Sequence, residues 1–103
     1  MKSIQRISDD IECIIDKAER FAKSAIEVKE SSPNLADAYY RIATDALTHI
    51  NLLHTQVVAE INAYKQTGKE VPKEMQILYD MFHKKHIENT AMVKGMLTLF
   101  KEM

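Results

Sequence analysis

The sequence predicts an all-α fold, an antiparallel up-down-up bundle of three long helices in a single domain that spans residues 1–103. Three observations lead to this prediction. The chain has only two glycines and two prolines, its apolar residues recur every three or four positions, and only two short stretches interrupt that spacing. A content of 46% hydrophobic and 28% charged residues is typical of a folded domain.

The two interruptions set the predicted ends of the helices. Residues 31–34 (SSPN) and 67–72 (TGKEVP) each contain a proline that suits the first helical turn, and Gly68 suits the end of the preceding helix. The predicted helices therefore span about residues 4–30, 33–66 and 72–102. Because the connections are short, consecutive helices should be antiparallel neighbours.

The first predicted helix has one apolar face that is bulky at its start and small towards its end. The residues of this face are Ile4, Ile7, Ile11, Ile14, Ile15, Ala18, Phe21, Ala22 and Ala25. The three alanines should leave room for aromatic rings, and Tyr39 and Tyr40 open the second helix at the same end of the bundle.

The second predicted helix has an unusually wide apolar arc, which suits a helix with neighbours on two sides. One stripe consists of Tyr39, Ile42, Ala46, His49, Leu53, Val57, Ile61 and Tyr64. A flanking stripe consists of Ala43, Leu47, Ile50, His54 and Val58. This spacing predicts His49 in the core and His54 beside it.

The third predicted helix carries a seam with alternating steps of four and three residues, as in a coiled coil. The seam consists of Met75, Tyr79, Phe82, His86, Asn89, Val93, Met96 and Phe100, and Leu78, Met92, Leu97 and Leu99 extend beyond it. This apolar surface exceeds what a three-helix monomer covers, so we expect a homodimer through apolar helix faces. A frayed C-terminal surface is the alternative explanation.

Composition excludes several classes of function. Fourteen Lys and Arg against fifteen Asp and Glu give a net charge of -1, so we expect no nucleic-acid partner. Cys13 is the only cysteine, and the N-terminus has no apolar run, so we expect no intrachain disulfide, no membrane segment and a cytoplasmic location. No glycine-rich phosphate loop or catalytic constellation is present, so we expect neither an enzyme nor a cofactor.

Four histidines fall in one layer of the predicted bundle. A hairpin folded about residue 69 places His54 level with residue 84 and His49 level with residue 89. Asp80 and His83 have the i, i+3 spacing of two ligands on one helical face. The candidate metal ligands are therefore His49, His83, His86 and Asp80, with Glu12 from the first helix, for zinc or iron. Hydrogen-bonded core packing is the competing interpretation.

Two stretches carry a resemblance to known families, "LADAYYRIATDALTHINLLHTQVV" and "VPKEMQILYDMFHKKHIE". The chain resembles the ferritin-like superfamily, and over these stretches it is similar to small three-helix proteins of phage and prophage origin in gut Firmicutes. The ferritin-like ligand pattern falls on Ile14, Phe21, Ala46 and His49, and only the histidine is retained. The resemblance thus implies a ferritin-like bundle without the carboxylates that a di-iron centre needs.

Three hypotheses of function follow. The first is a non-enzymatic helical bundle, encoded by a phage or prophage, that acts through protein contacts. The second is a metal-binding protein with a mononuclear site of histidine and carboxylate ligands. The third is a pH-responsive bundle, because protonating several histidines in one layer makes them repel one another.

Overall fold

A computed structural model of the chain describes residues 2–68 and 70–103, without the side chains of Lys2, Ser3, Met75 and Leu78. Within these residues the chain forms three helices and no strand: α1 (Lys2–Val28), α2 (Pro33–Gln66) and α3 (Lys73–Glu102). The predicted three-helix all-α fold is confirmed, and each helix ends within two residues of its predicted boundary. Met75 and Leu78, which were predicted on and beside the seam of α3, lie outside the described side chains.

The helix ends follow from the residues that the sequence places there. Pro33 is the first residue of α2, where its missing N–H leaves no hydrogen bond unmade, and the Ser32 N–H donates to the Val28 carbonyl at 2.8 Å. Gly68 follows α2 with a φ of +80°, which favours glycine, and its N–H donates to the Lys65 carbonyl at 3.1 Å. Pro72 immediately precedes α3.

Helix α1 is the centre of the assembly, because it packs against both other helices while α2 and α3 touch each other much less. At one end the core is built from large aliphatic side chains. Ile4 packs with Val57 and Ile61, and Tyr79 of α3 packs against this cluster. The next cluster consists of Ile11, Ile15 and Ile50. The particle is elongated, with Cα extents of 57 × 19 × 17 Å.

At the other end, small residues of α1 and α2 replace the large ones. The buried residues there are Ala18, Ala22, Ala25, Ala36, Ala43 and Ala46, together with Val93, Leu97 and Phe100 of α3. Tyr39 and Tyr40 pack over these alanines, as the sequence predicts. The Tyr39 ring lies 5.7 Å from the Phe21 ring, measured between centroids. Rings therefore supply the volume that the alanines leave open.

The predicted core face of α2 is wrong at two positions. His49 and Ile42 are exposed, whereas Ala43, Ala46 and Ile50 are buried. The buried face runs between the two stripes that the sequence shows, rather than along the first one. His49 precedes Ile50 by one residue and is rotated about 100° from it around the helix, so it points away from α1. The expected core placement of His49 is therefore overturned.

Candidate functional site: a histidine-lined groove

An open groove of about 300 Å³ lies between α2 and α3, which contact each other little. Ile11 of α1 and Ile50 of α2 contribute apolar surface to it. Its other lining residues are Asn51, His54, His83, His86, Ile87, Thr90, Ala91 and Lys94. The lining holds three imidazoles and a lysine but no carboxylate. The groove therefore offers nitrogen and hydroxyl groups beside an apolar surface.

Three of the four histidines meet at one end of this groove. The His54 ring of α2 and the His83 ring of α3 have centroids 4.7 Å apart, with 52° between their planes. His83 also leans towards the Tyr79 ring, at 5.2 Å between centroids. His86, one turn further along α3, is only 7% exposed, and its ring lies 6.2 Å from that of Phe82. The imidazoles thus form the polar part of an otherwise aromatic and aliphatic layer.

Two nitrogen atoms in this layer are buried without a hydrogen-bond partner, Nε2 of His54 and Nε2 of His86. A buried polar atom without a partner costs about 1–3 kcal/mol, so most such atoms in proteins are satisfied. A second cavity of about 10 Å³ adjoins both histidines and is also lined by Ser8, Val57 and Tyr79. Its volume is close to the smallest that holds one water molecule.

Burial keeps these imidazoles neutral. Loss of solvation lowers the pKa of His54 below its ordinary value of 6.5, and the charge that His83 carries when protonated lowers it further. Burial likewise lowers the pKa of His86, with smaller contributions from Lys85, His83 and His54 in the same direction. Glu12 acts in the opposite direction on His86 without reversing the shift.

Glu12 joins α1 to α3 beside this layer. Its Oε1 accepts a hydrogen bond from the Lys85 ammonium group. This bond lowers the pKa of Glu12, and burial of the carboxyl opposes the shift. The same hydrogen bond raises the pKa of Lys85. Lys85 is exposed and Glu12 is half-buried, so solvent weakens the ion pair, which places charge near His86 more than it stabilises the fold.

The structure brings some of the predicted metal ligands together and separates others. His83 and His86 line the same groove. Asp80 is exposed, accepts a hydrogen bond from the Gln76 amide at 3.1 Å, and lies with His83 on a separate surface depression. Glu12 is bonded to Lys85. His49 is exposed and does not line the groove, so it does not join the other candidates.

His54 is the site residue that the candidate set left out. The sequence places His54 on the flanking stripe of α2, beside the core. In the structure, however, His54 is the residue of α2 whose ring lies against a histidine ring of α3. The signal that finds it is the hairpin geometry, which puts residue 54 level with residue 84. The close approach of His54 to His83 agrees with that expectation.

The residues do not fit the di-iron centre of the ferritin-like pattern. Ile14 and buried Ala46 stand where carboxylates are required, and His49 is exposed. In the part of the chain that the structure describes, no group of three or more His, Cys, Asp or Glu side chains is arranged to hold a metal ion. A carboxylate-bridged iron site is therefore absent from the pattern positions.

Comparison with models of protein families, with curated proteins and with solved structures finds no match for this chain. Within residues 2–68 and 70–103, no helix is both long enough and apolar enough to cross a membrane.

Proposed function

We propose that the chain is a non-enzymatic helical bundle that acts through protein contacts and pairs with a second copy of itself through the outer face of α3. One observation carries the proposal. The side of α3 away from the core presents a row of large apolar side chains that are 44–64% exposed: Ile77, Met81, Met92, Leu99 and Met103. Exposed apolar side chains grouped on one face of a folded domain are typical of an interaction site, and Met92, Leu99 and Met103 form such a group near the end of α3.

A second copy suits this face because its centre is symmetric. Met92 and Leu99 stand on either side of Gly95, and a side-chain carbon added at Gly95 meets nothing within 4 Å. In an antiparallel pairing of two α3 helices centred near Gly95, Met92 of one copy lies opposite Leu99 of the other. The absent side chain at Gly95 lets the two backbones approach, and the contact is the same on both copies, as in a two-fold dimer.

The size of the face sets the strength of the pairing. In the pairing centred near Gly95 the two α3 helices overlap over residues 88–103, about 24 Å, and a strip one helix diameter wide covers roughly 250–300 Å² on each partner. Ile77 and Met81 lie outside this α3–α3 contact. This area is below that of stable specific interfaces, so we expect a weak dimer whose population rises with protein concentration. Methionine suits such a surface because its unbranched side chain adapts to the partner.

We further infer that the three helices run up-down-up. Two clusters support this order: Ile4 packs with Ile61 near the end of α2 and with Tyr79 near the start of α3, and Ala25 packs with Ala36 and Phe100 at the opposite end. The ferritin-like ancestry and the phage or prophage origin that the resemblance implies belong to the same proposal.

Sedimentation equilibrium over a wide range of protein concentration tests the dimer. We expect a reversible monomer–dimer equilibrium in the wild type and a monomer throughout for Leu99→Lys. The matched control is Leu52→Lys, which places the same charge at an isolated, 64% exposed leucine on α2 and should leave the equilibrium unchanged. A wild type that stays monomeric at every concentration, or an equal effect of both substitutions, overturns the proposal.

A further inference from the structure

One isoleucine of α3 is used neither by the core nor by the proposed dimer face. Ile87 is 58% exposed and lines the groove between α2 and α3. At about 100° per residue, it lies about 120° around the helix from buried Val93 and about 140° from Met92 of the outer face. Ile87 therefore belongs to the groove, and a ligand that covers it leaves the outer face of α3 free.

The apolar surface of the groove suits a short hydrocarbon body. Ile11 of α1 and Ile50 of α2 are core residues that border the groove, and Ile87 and Ala91 of α3 are exposed beside them. The groove volume of about 300 Å³ lies at the small end of the range for small-molecule sites, about 300–1,000 Å³. A hydrocarbon chain laid here removes its own surface and that of Ile87 from water, which favours binding.

Lys94 gives the groove a positive charge that no carboxylate offsets. The four residues one turn from it on α3 are all uncharged: Thr90, Ala91, Leu97 and Thr98. In the described part of the chain Lys94 forms no ion pair, and the described lining of the groove contains no Asp or Glu. Two acids of α3, Asp80 and Glu88, line a separate depression together with Lys84. The other ionisable groups of the groove are imidazoles, which are neutral or positively charged.

Two uncharged side chains add hydrogen-bond donors to the groove. The hydroxyls of Thr44, Thr55 and Thr98 each donate to the carbonyl four residues earlier in their helix. Half-buried Thr90 makes no side-chain hydrogen bond to any residue that the structure describes, so its hydroxyl is free to donate to a ligand. Asn51 lines the groove from α2, and its amide also donates.

We propose that the groove between α2 and α3 binds a small organic anion, a carboxylate with a short apolar body. The carboxylate accepts hydrogen bonds from the Lys94 ammonium group and the Thr90 hydroxyl, and the apolar body covers Ile87 and Ile50. An ion pair with an exposed lysine is weak by itself, so binding depends on the charge and the apolar contact together. The helices need not move, because the groove is already open.

The test is a titration of isotope-labelled protein with hexanoate, followed by the amide and methyl shifts in NMR spectra. The matched probes are 1-hexanol and hexylammonium, which carry the same chain with a neutral and a positive head group. We expect hexanoate to bind saturably and roughly tenfold more tightly than hexanol, because a hydrogen bond to a charged acceptor is the stronger one. Hexylammonium should bind most weakly, and the shifts should centre on Ile87, Ala91 and Lys94.

Two variants and one control test the role of charge. Lys94→Gln should lower the affinity for hexanoate to that for hexanol and leave the affinity for hexanol unchanged. The control Lys17→Gln removes an exposed lysine of α1 outside the groove and should change none of the three affinities. Ala91→Glu places a carboxylate in the groove and should reverse the order, so that hexylammonium binds more tightly than hexanoate. Lys94 and Ala91 are exposed, so both variants should keep the fold.

Three results overturn the proposal. The first is the absence of saturable shifts with hexanoate. The second is an equal affinity for the three probes, or an equal effect of Lys94→Gln and Lys17→Gln, since the groove then does not select the charge. The third is a set of shifts centred on Met92 and Leu99, which places the probe on the outer face of α3.

The same titration of Leu99→Lys separates this proposal from the proposed dimer. This variant lacks the self-association contact but keeps the groove, which lies on another side of α3, so it should bind hexanoate as the wild type does. A loss of binding in Leu99→Lys also contradicts the groove as the site.

Discussion

The rings of Tyr40 in α2 and Phe100 in α3 stack with their centroids 5.0 Å apart and 19° between their planes. They do so where the buried residue of α1 is the small Ala25, with Ile26 and Val28 packed beside it, so this ring pair supplies most of the aromatic volume at the end of the core. The Lys29 ammonium donates to the Phe100 carbonyl and lies 4.4 Å from the centre of its ring. Phe100 of α3 thus contacts Tyr40 of α2 and Lys29, the residue that follows α1, at this end of the bundle.

Phe100→Ala should lower the free energy of unfolding by about 3–5 kcal/mol, because it opens a cavity among residues that cannot collapse further. Urea unfolding followed by circular dichroism measures the loss. Leu52→Ala, at a 64% exposed leucine of α2 outside the proposed dimer face, is the control and should change stability far less. Equal losses in the two variants would show that the ring pair does not organise this end of the core.

The buried alanines between α1 and α2 predict how the stability of the fold responds to a larger side chain in the core. Ala22 is fully buried among residues of α2 and α3, so Ala22→Leu must push helices apart or adopt a strained side-chain conformation. We expect a loss of about 1–3 kcal/mol in the free energy of unfolding. The control Ala38→Leu makes the same change at an exposed position of α2 and should be nearly neutral. An unchanged Ala22→Leu would mean that the helices are not in close contact there.

The two glycines should respond to alanine with opposite signs. Gly68 has a φ of +80°, so Gly68→Ala should reduce stability by about 1–2 kcal/mol, the cost of the left-handed conformation for other residues. Gly95 lies within α3 with open space around it, so Gly95→Ala should raise stability by up to about 1 kcal/mol. Thermal unfolding at low protein concentration, where the monomer dominates, compares the two. Equal effects would contradict the conformation at Gly68.

The lowered pKa values of His54 and His86 predict the dependence of stability on pH. Because each pKa is lower in the folded than in the unfolded chain, the unfolded state binds more protons near neutrality. Stability should therefore be full above pH 6.5 and fall as the pH drops through the folded pKa values. Glu12 contributes a similar loss, since its pKa is also lowered, but only below its ordinary value of 4.5.

Urea unfolding in the presence of a chelator, between about pH 5 and 8, measures this dependence. The slope of the free energy of unfolding against pH should flatten in His54→Gln and in His86→Gln. It should persist in His49→Gln. A stability that is flat across this range in the wild type would contradict the burial of the two imidazoles.

Much of the fold could be predicted from the sequence because it depends on local signals. Pro33 and Gly68 mark helix ends through their own backbone preferences, and the spacing of the isoleucines in α1 marks one face. The core face of α2 was harder to predict, because its apolar arc is so wide that either of two faces of the helix could be buried. The sequence alone did not decide between them, and His49 was placed inside when Ile50 faces the core.

The sequence predicts the level of the candidate site along the bundle, but not which residues line it. Hairpin geometry brings His54 level with His83, since it depends only on where the chain reverses. Which side chains line the groove depends on the separation of α2 and α3 and on the rotation of each helix, and both are set by packing on α1. The exclusion of Asp80 and His49 from the groove is therefore a property of the packed bundle.

The slight contact between α2 and α3 also bears on how the molecule opens and folds. Helices α1 and α2 are joined by a connection of four residues, 29–32, and contact each other most extensively, so their hairpin combines the contacts that are closest in sequence. Such a unit is expected to form early and open last. Helix α3 then docks as a separate cooperative unit, and its backbone amides should exchange with deuterium sooner than those of the α1–α2 hairpin.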